Sequence, residues 1–339
     1  MKAMRFYEAG KPLKLEDLPK PTISSNEVLI NVKAVGICGS DIHIIHGETS
    51  TPTPIILGHE IAGVISEVGN NVKTFNVGDR VCVDSIIFCG NCVNCMSGRD
   101  NICRKWALYG IHTDGGMAEY VKVREINCIK LPENVSFEEG AIATDAIATP
   151  YHAIKRAKIS VSDFVVIYGC GGLGIHAVQL ANLCGAKVVA VDVIEERLDL
   201  AKKLGAEIAI NAKEVDPIKE VMSLTNNVGA DVAMEFVGSP ITLEKTLNSV
   251  RRGGKAVLVG LSGEPLTYDT RKIVRGELDV MGSYAFCKRD IEEVLNLISS
   301  RKLDLSYSVT HRFSLEDANL ALETLDKKIG NPIRIVITI

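Results

Sequence analysis

The chain has 339 residues, 46% of them hydrophobic and 24% charged, with a net charge of −4. That length suits two domains better than one core, and so small a charge gives no global pull toward nucleic acid or acidic lipid. The N-terminal MKAMRFYEAGKPLKL has no apolar stretch of signal-peptide length, and no apolar run reaches the roughly 18 residues that cross a bilayer. A cytoplasmic setting is therefore expected, with neither nucleic acid nor membrane as partner.

Up to about Tyr151 the pattern is all-β. Short alternating stretches such as VLINVKAVGI, EIAGVISEVG and DRVCVD are broken by Gly, Asn and Pro, as in a small antiparallel domain. From about Ser162 the rhythm changes. FVVIYG is followed by a helical stretch from Gly172 to Cys184, then KVVAVD, the helical EERLDLAKKLG and EIAINA. DVAMEF, a helix after Pro240, KAVLVGL and LDVMGS continue it. Six apolar strands separated mainly by amphipathic helices predict an α/β, doubly wound parallel sheet. After Lys288 one further helix and the terminal IRIVITI strand are expected to return to the first domain. The predicted layout is a domain of residues 1–150 completed by 288–339, with 151–287 inserted.

Ten cysteines are many where disulfides rarely persist. Cys89, Cys92, Cys95 and Cys103 crowd into FCGNCVNCMSGRDNIC with spacing C-x2-C-x2-C-x7-C. Four thiolates at such intervals can close tetrahedrally round one zinc and leave no open position. An iron–sulfur cluster is the rival, but the ferredoxin-type run ends C-x3-C-P, unlike Cys103-Arg104-Lys105. A closed site of this kind is structural, so chemistry has to lie elsewhere.

FVVIYGCGGLG runs from strand through glycines 169, 171, 172 and 174 into a helix. Gly169 permits a tight turn, Gly171 lets the backbone approach a pyrophosphate, and Gly174 lets helix and strand pack closely. The helix N-terminus then offers N–H groups to the phosphates. The alternative is a merely structural glycine turn. Asp192 stands eighteen residues after Gly174, near the spacing at which an acid bonds a ribose diol. Otherwise Asp192 caps the following helix, with Glu195 completing a capping box. No cation stands between Asp192 and Glu196 to receive a 2′-phosphate, which favours NAD over NADP.

Three dispersed segments remain: GICGSDIH at 36–43, GHE at 58–60 and TDAIATPYHA at 144–153. With the four-cysteine lobe and the glycine loop, in this order and spacing, they resemble the zinc-containing medium-chain alcohol dehydrogenases over essentially the whole chain. That resemblance implies a GroES-like catalytic domain, a Rossmann domain, NAD, and two zincs per subunit, one catalytic and one structural. It implies catalytic zinc ligands at Cys38 and His59, with Glu60 a close or exchanging ligand. Asp145 should complete the set where many relatives carry cysteine, a departure that preserves ligand charge. The alternative for Asp145 is an N-cap of the helix carrying Tyr151 and His152.

By the same resemblance Ser40 starts a hydroxyl relay, His43 passes the proton to solvent, and Asp41 orients His59. His46 matches nothing and reads as a loop residue. Arg334 is implied near the pyrophosphate and Glu60. Leu173, Arg197, Val237, Val259, Gly260 and Ser283 join the glycines and Asp192 as cofactor positions. Ser40, Ile44, Ser85, Trp106, Leu108 and Tyr284 are implied as substrate-pocket positions. The implied substrate is a small alcohol or ketone, preferably secondary; a polyol, sugar or threonine-type substrate is the alternative. The implied assembly is a homodimer or homotetramer. A non-catalytic nucleotide-binding relative is the reading from a different class, opposed by the intact ligand and relay residues.

Overall fold

The computed structural model describes residues 1–261 and 263–339. It divides into two units, Met1–Ala148 with Phe286–Ile339, and Thr149–Ala285.

The first unit is built on a seven-stranded sheet whose centre is the long strand Glu27–Ile37. Its apolar positions are mostly β-branched, which favours a pleated, buried strand. It pairs antiparallel with Glu60–Val68, Tyr120–Arg124 and Arg334–Thr338. Val28, Ile30, Val32, Val35 and Ile37 join Ile61, Ile65, Val81, Ile335 and Ile337 in one core. Each such side chain contributes about 1.5–3 kcal/mol on burial.

The chain after Lys288 is richer than its sequence suggests. It forms two helices, Lys288–Ser299 and Ala318–Asp326, and an additional strand, Val309–Ser314, beside Arg334–Thr338. VTHRFS is half-buried and exposed in turn, carries polar groups, and so lacks the apolar signal of an inner strand.

In the second unit six parallel strands lie in the order Ile208–Asn211, Lys187–Asp192, Phe164–Tyr168, Ala230–Glu235, Val250–Leu258, Asp279–Gly282. In sequence order that is 3-2-1-4-5-6, the arrangement of doubly wound dinucleotide-binding sheets. Val166, Val189, Val191 and Ile210 are among its buried core residues. Among the described residues no helix is long and apolar enough to cross a membrane.

Candidate active site and metal centres

Cys38, His59, Glu60 and Asp145 each offer a ligand atom, and these atoms lie within 4.8 Å of one another. Cys38 follows the central strand and precedes the helix Gly39–Ile45. Glu60 opens its strand directly opposite Gly36. A Cβ on Gly36 would stand 2.0 Å from Glu60 Oε2, so only glycine leaves room for that carboxylate. Asp145 does not cap a helix. It sits in a π-helical turn, Ala143–Ile147, between Phe137–Ile142 and Ala148–Ala157, and such turns recur at functional sites.

His59 Nε2 is 3.6 Å from Asp145 Oδ2 and 3.4 Å from Ser40 Oγ. On the other side of the ring Nδ1 is 3.6 Å from Asp41 Oδ1. The other oxygen of Asp41, Oδ2, accepts the Cys38 N–H at 2.9 Å, so one carboxylate faces both the ligand loop and the imidazole. Buried Arg334 donates to Glu60 Oε1, while Glu60 Oε2, Asp41 Oδ1 and His59 Nδ1 are buried with no hydrogen-bond partner among the described residues.

Burial pushes the Cys38 thiol up, and the Asp145 carboxylate adds to it. Burial alone would lower His59, but Asp41 and Asp145 outweigh it and hold the imidazole well above its ordinary range. Burial also pushes Glu60 up to about 7, against the pull of Arg334. Protons thus hold places at which a dication would favour thiolate, neutral imidazole and carboxylate. Sulfur, nitrogen and oxygen donors converging with an orphaned carboxylate oxygen fit zinc.

The second donor set is Cys89, Cys92, Cys95 and Cys103. Its Sγ–Sγ separations include 3.5, 3.9 and 4.0 Å, and all four thiols are free. Tetrahedral bonds of about 2.3 Å to zinc place sulfurs about 3.8 Å apart, so this set fits a closed zinc site. Backbone N–H groups of Arg104 and Cys95 draw the Cys92 thiol down to about 6, toward the thiolate that a metal needs.

At the glycine loop Gly169 adopts φ +88°, and a Cβ on Gly174 would stand 1.7 Å from the Gly169 carbonyl oxygen. The helix Gly174–Leu183 opens at Leu173 with no side-chain cap, which leaves backbone N–H groups for a phosphate. Gly172 lends its carbonyl to His176 Nδ1 at 2.8 Å. Asp192 forms no capping box. One oxygen accepts from Cys170 N at 2.6 Å, the other from Val193 N and Ile194 N. The next helix starts at Glu195, whose carboxylate accepts from Asn211 instead. One guanidinium nitrogen of Arg197 is 3.7 Å from where a Gly171 Cβ would stand, so a cation does stand beside this loop.

Of the remaining expected positions, Val259 and Ser283 are buried and Val237 is exposed. Among the described residues the Ser283 hydroxyl has no hydrogen-bond partner. Gly260 N and Val259 N both donate to the Glu235 carbonyl. Ser85 is buried, Leu108 pairs with Ile86, and Trp106 is 42% exposed, edge-on to His112. Tyr284 belongs to the second unit. Ile44 packs into the first unit's core, because helical phase buries it with Asp41 one turn away. His46 lies in the turn after that helix, as expected of a loop residue, and its Nε2 meets Asp326 Oδ2 at 3.2 Å.

Three residues escaped the sequence reading. Gly36 makes room for Glu60. Glu235 accepts from Val237 N, Gly238 N and the Thr242 hydroxyl, and so shapes the turn after its strand. Glu48 meets His43. A carboxylate ending a parallel strand is a usable signal for Glu235; the other two depend on contacts that spacing does not encode.

Residues 24–133 match the alcohol dehydrogenase GroES-like domain, and 172–300 match the zinc-binding dehydrogenase domain. An NAD-dependent alcohol dehydrogenase of Sulfurisphaera tokodaii is 36% identical over 98% of this chain and 99% of its own length. The chain belongs to the zinc-containing medium-chain alcohol dehydrogenases. This dehydrogenase is also 38% identical to a sorbitol dehydrogenase of Bacillus subtilis, covering 95% of this chain and 93% of that one. Among solved structures, an alcohol dehydrogenase from Thermus sp. ATN1 superposes with a TM-score of 0.93 at 31% identity, over 100% and 99% of the two chains. The chain is therefore a zinc oxidoreductase of this family.

Proposed function

We propose that this dehydrogenase transfers hydride between a small alcohol, preferably secondary, and NAD, giving a ketone or aldehyde. The observation that carries the reading is Ser40 Oγ 3.4 Å from His59 Nε2, at the edge of the Cys38–His59–Glu60–Asp145 set. A hydroxyl there, both donor and acceptor, can take a proton from an alcohol oxygen and pass it on. Cys38, His59 and Asp145 would hold the catalytic zinc, with Glu60 in reserve, and that zinc supplies Lewis acidity toward the substrate oxygen.

Asp41 faces the back of the His59 ring at 3.6 Å, where its charge supports a proton on Nδ1 and a free Nε2 toward the ligand set. Ser40 and His43 stand three residues apart on one helix, hence on one face. The helix thus leads from the ligand set to a side chain 49% exposed. Asp192 supports NAD, because a carboxylate beside the glycine loop repels a 2′-phosphate. Arg197 supports some use of NADP. The sorbitol dehydrogenase relative supports polyols as the second substrate class.

The test is a panel of primary and secondary alcohols, polyols, sugars and threonine with NAD and with NADP, followed by absorbance of the reduced cofactor. A secondary alcohol with NAD should give the highest kcat/KM. Turnover of polyols alone would move the assignment to the second class. No turnover by the zinc-loaded protein would leave a nucleotide-binding protein without this chemistry. The ten free thiols suit the expected cytoplasmic setting, and mass in solution would test the expected homodimer or homotetramer.

A further inference from the structure

We propose that Glu48 is a positioning residue for His43, holding the ring proton on Nδ1 so that Nε2 stands ready to accept the proton leaving the alcohol. The proposal rests on the reading above, in which His43 is the solvent end of the relay from Ser40.

Backbone geometry brings the two residues together. At the end of the helix Gly39–Ile45 the chain reverses through Gly47, which has φ +78°. Glu48 N and Thr49 N both donate to the His43 carbonyl, at 2.8 and 3.1 Å. That hairpin turns Glu48 back toward the imidazole, and Glu48 Oε2 contacts His43 Nδ1. The other oxygen, Oε1, is 3.9 Å from His46 Nδ1, and Asp326 braces His46 from the helix Ala318–Asp326. Four acid–base groups therefore stand in a row, and the one nearest Ser40 along the helix is His43.

A neutral imidazole has one N–H donor and one acceptor. A carboxylate accepts only, so the nitrogen facing Glu48 must donate, which assigns the lone pair to Nε2. One proton then enters at Nε2 and one leaves Nδ1 for the carboxylate and water, so no charge accumulates. The half-exposed ring recovers its starting tautomer by exchange with water.

Two readouts test this. Long-range 1H–15N spectra of zinc-loaded protein, with the His43 signal assigned through His43→Ala, should show the Nδ1–H tautomer. Glu48→Gln should shift that signal toward the Nε2–H form. In NAD-dependent oxidation of 2-butanol near neutral pH, His43→Ala should slow kcat about 10- to 1000-fold. Glu48→Gln should slow it about fivefold, in keeping with the loss of one half-exposed hydrogen bond to a carboxylate, with KM for NAD unchanged. Glu48→Asp should recover most of the loss, and Glu48→Gln in the His43→Ala background should add nothing. A wild-type rate for Glu48→Gln, an unmoved tautomer, or additive losses would overturn the role of Glu48 alone. An unimpaired His43→Ala enzyme would overturn the relay reading and the proposal with it.

Discussion

Arg334 and Glu60 form a buried ion pair where three strands meet. Each opens its strand, and those strands flank the end of Glu27–Ile37 on either side, Glu60 opposite Gly36 and Ile335 opposite Ile37. Removing one partner of a buried pair leaves an uncompensated charge, a loss of roughly 3–5 kcal/mol. Arg334→Met should lower unfolding free energy by about that much in urea titrations. Arg334→Lys keeps the charge but not the planar guanidinium, and should lose less. Equal losses for both variants would show that shape rather than charge is what Glu60 needs.

Two independent donor sets predict two zincs per chain by elemental analysis. Cys38→Ala should retain one zinc and lose turnover. Cys95→Ala should instead lose thermal stability first, because metal binding at a closed lobe is folding energy for that lobe. A Cys38→Ala protein with two zincs and full turnover would move the catalytic centre elsewhere.

Asp192 predicts a clear preference for NAD in kcat/KM. Asp192→Asn keeps one oxygen for the loop N–H groups while removing the charge, so the gap between NAD and NADP should narrow about tenfold, or 1.4 kcal/mol. Arg197→Ala in that background should widen it again if Arg197 is what greets the extra phosphate. Wild-type preference for NADP would remove Asp192 from cofactor selection.

Asp84 gives a pH signature outside both metal centres. Burial pushes its carboxyl up to about 8, opposed by the Ile86 N–H at 2.9 Å. The folded state therefore holds a proton that the unfolded chain, with an ordinary aspartate, releases near pH 4. Between about pH 4 and 8 this group makes stability fall as pH rises, by at most about 1.4 kcal/mol per unit. Asp84→Asn should remove that slope, so its stability relative to wild type should climb from pH 5 to pH 8 in urea titrations. A difference independent of pH would show that Asp84 is ionised in the fold.

Much of this protein is legible because its motifs are contiguous. The six parallel strands are short apolar runs between glycines, and the glycine loop and the four-cysteine lobe each lie within one short segment. Cys38, His59 and Asp145 are dispersed, and composition offers no reason to join them; only the family pattern did. Asp145 owes its place to a π-turn, which has no signature of its own in ATDAI. The interplay of Gly36 with Glu60, and of Glu48 with His43, is a matter of contact across the fold. The strand Val309–Ser314 escaped notice because polar alternation at a sheet edge resembles a loop.

The strand Arg334–Thr338 lies inside the first unit's sheet, between Glu27–Ile37 and Val309–Ser314. A ribosome delivers Cys38, His59 and Asp145 long before it delivers that strand. Until then the long central strand has an unpaired edge and Glu60 lacks its counter-ion. The second unit is continuous in sequence and has all six strands by residue 282, so it can finish folding during synthesis. The Glu60 side of the ligand set is thus assembled only when Arg334 arrives, although Cys38, His59 and Asp145 precede it in the chain by almost two hundred residues or more.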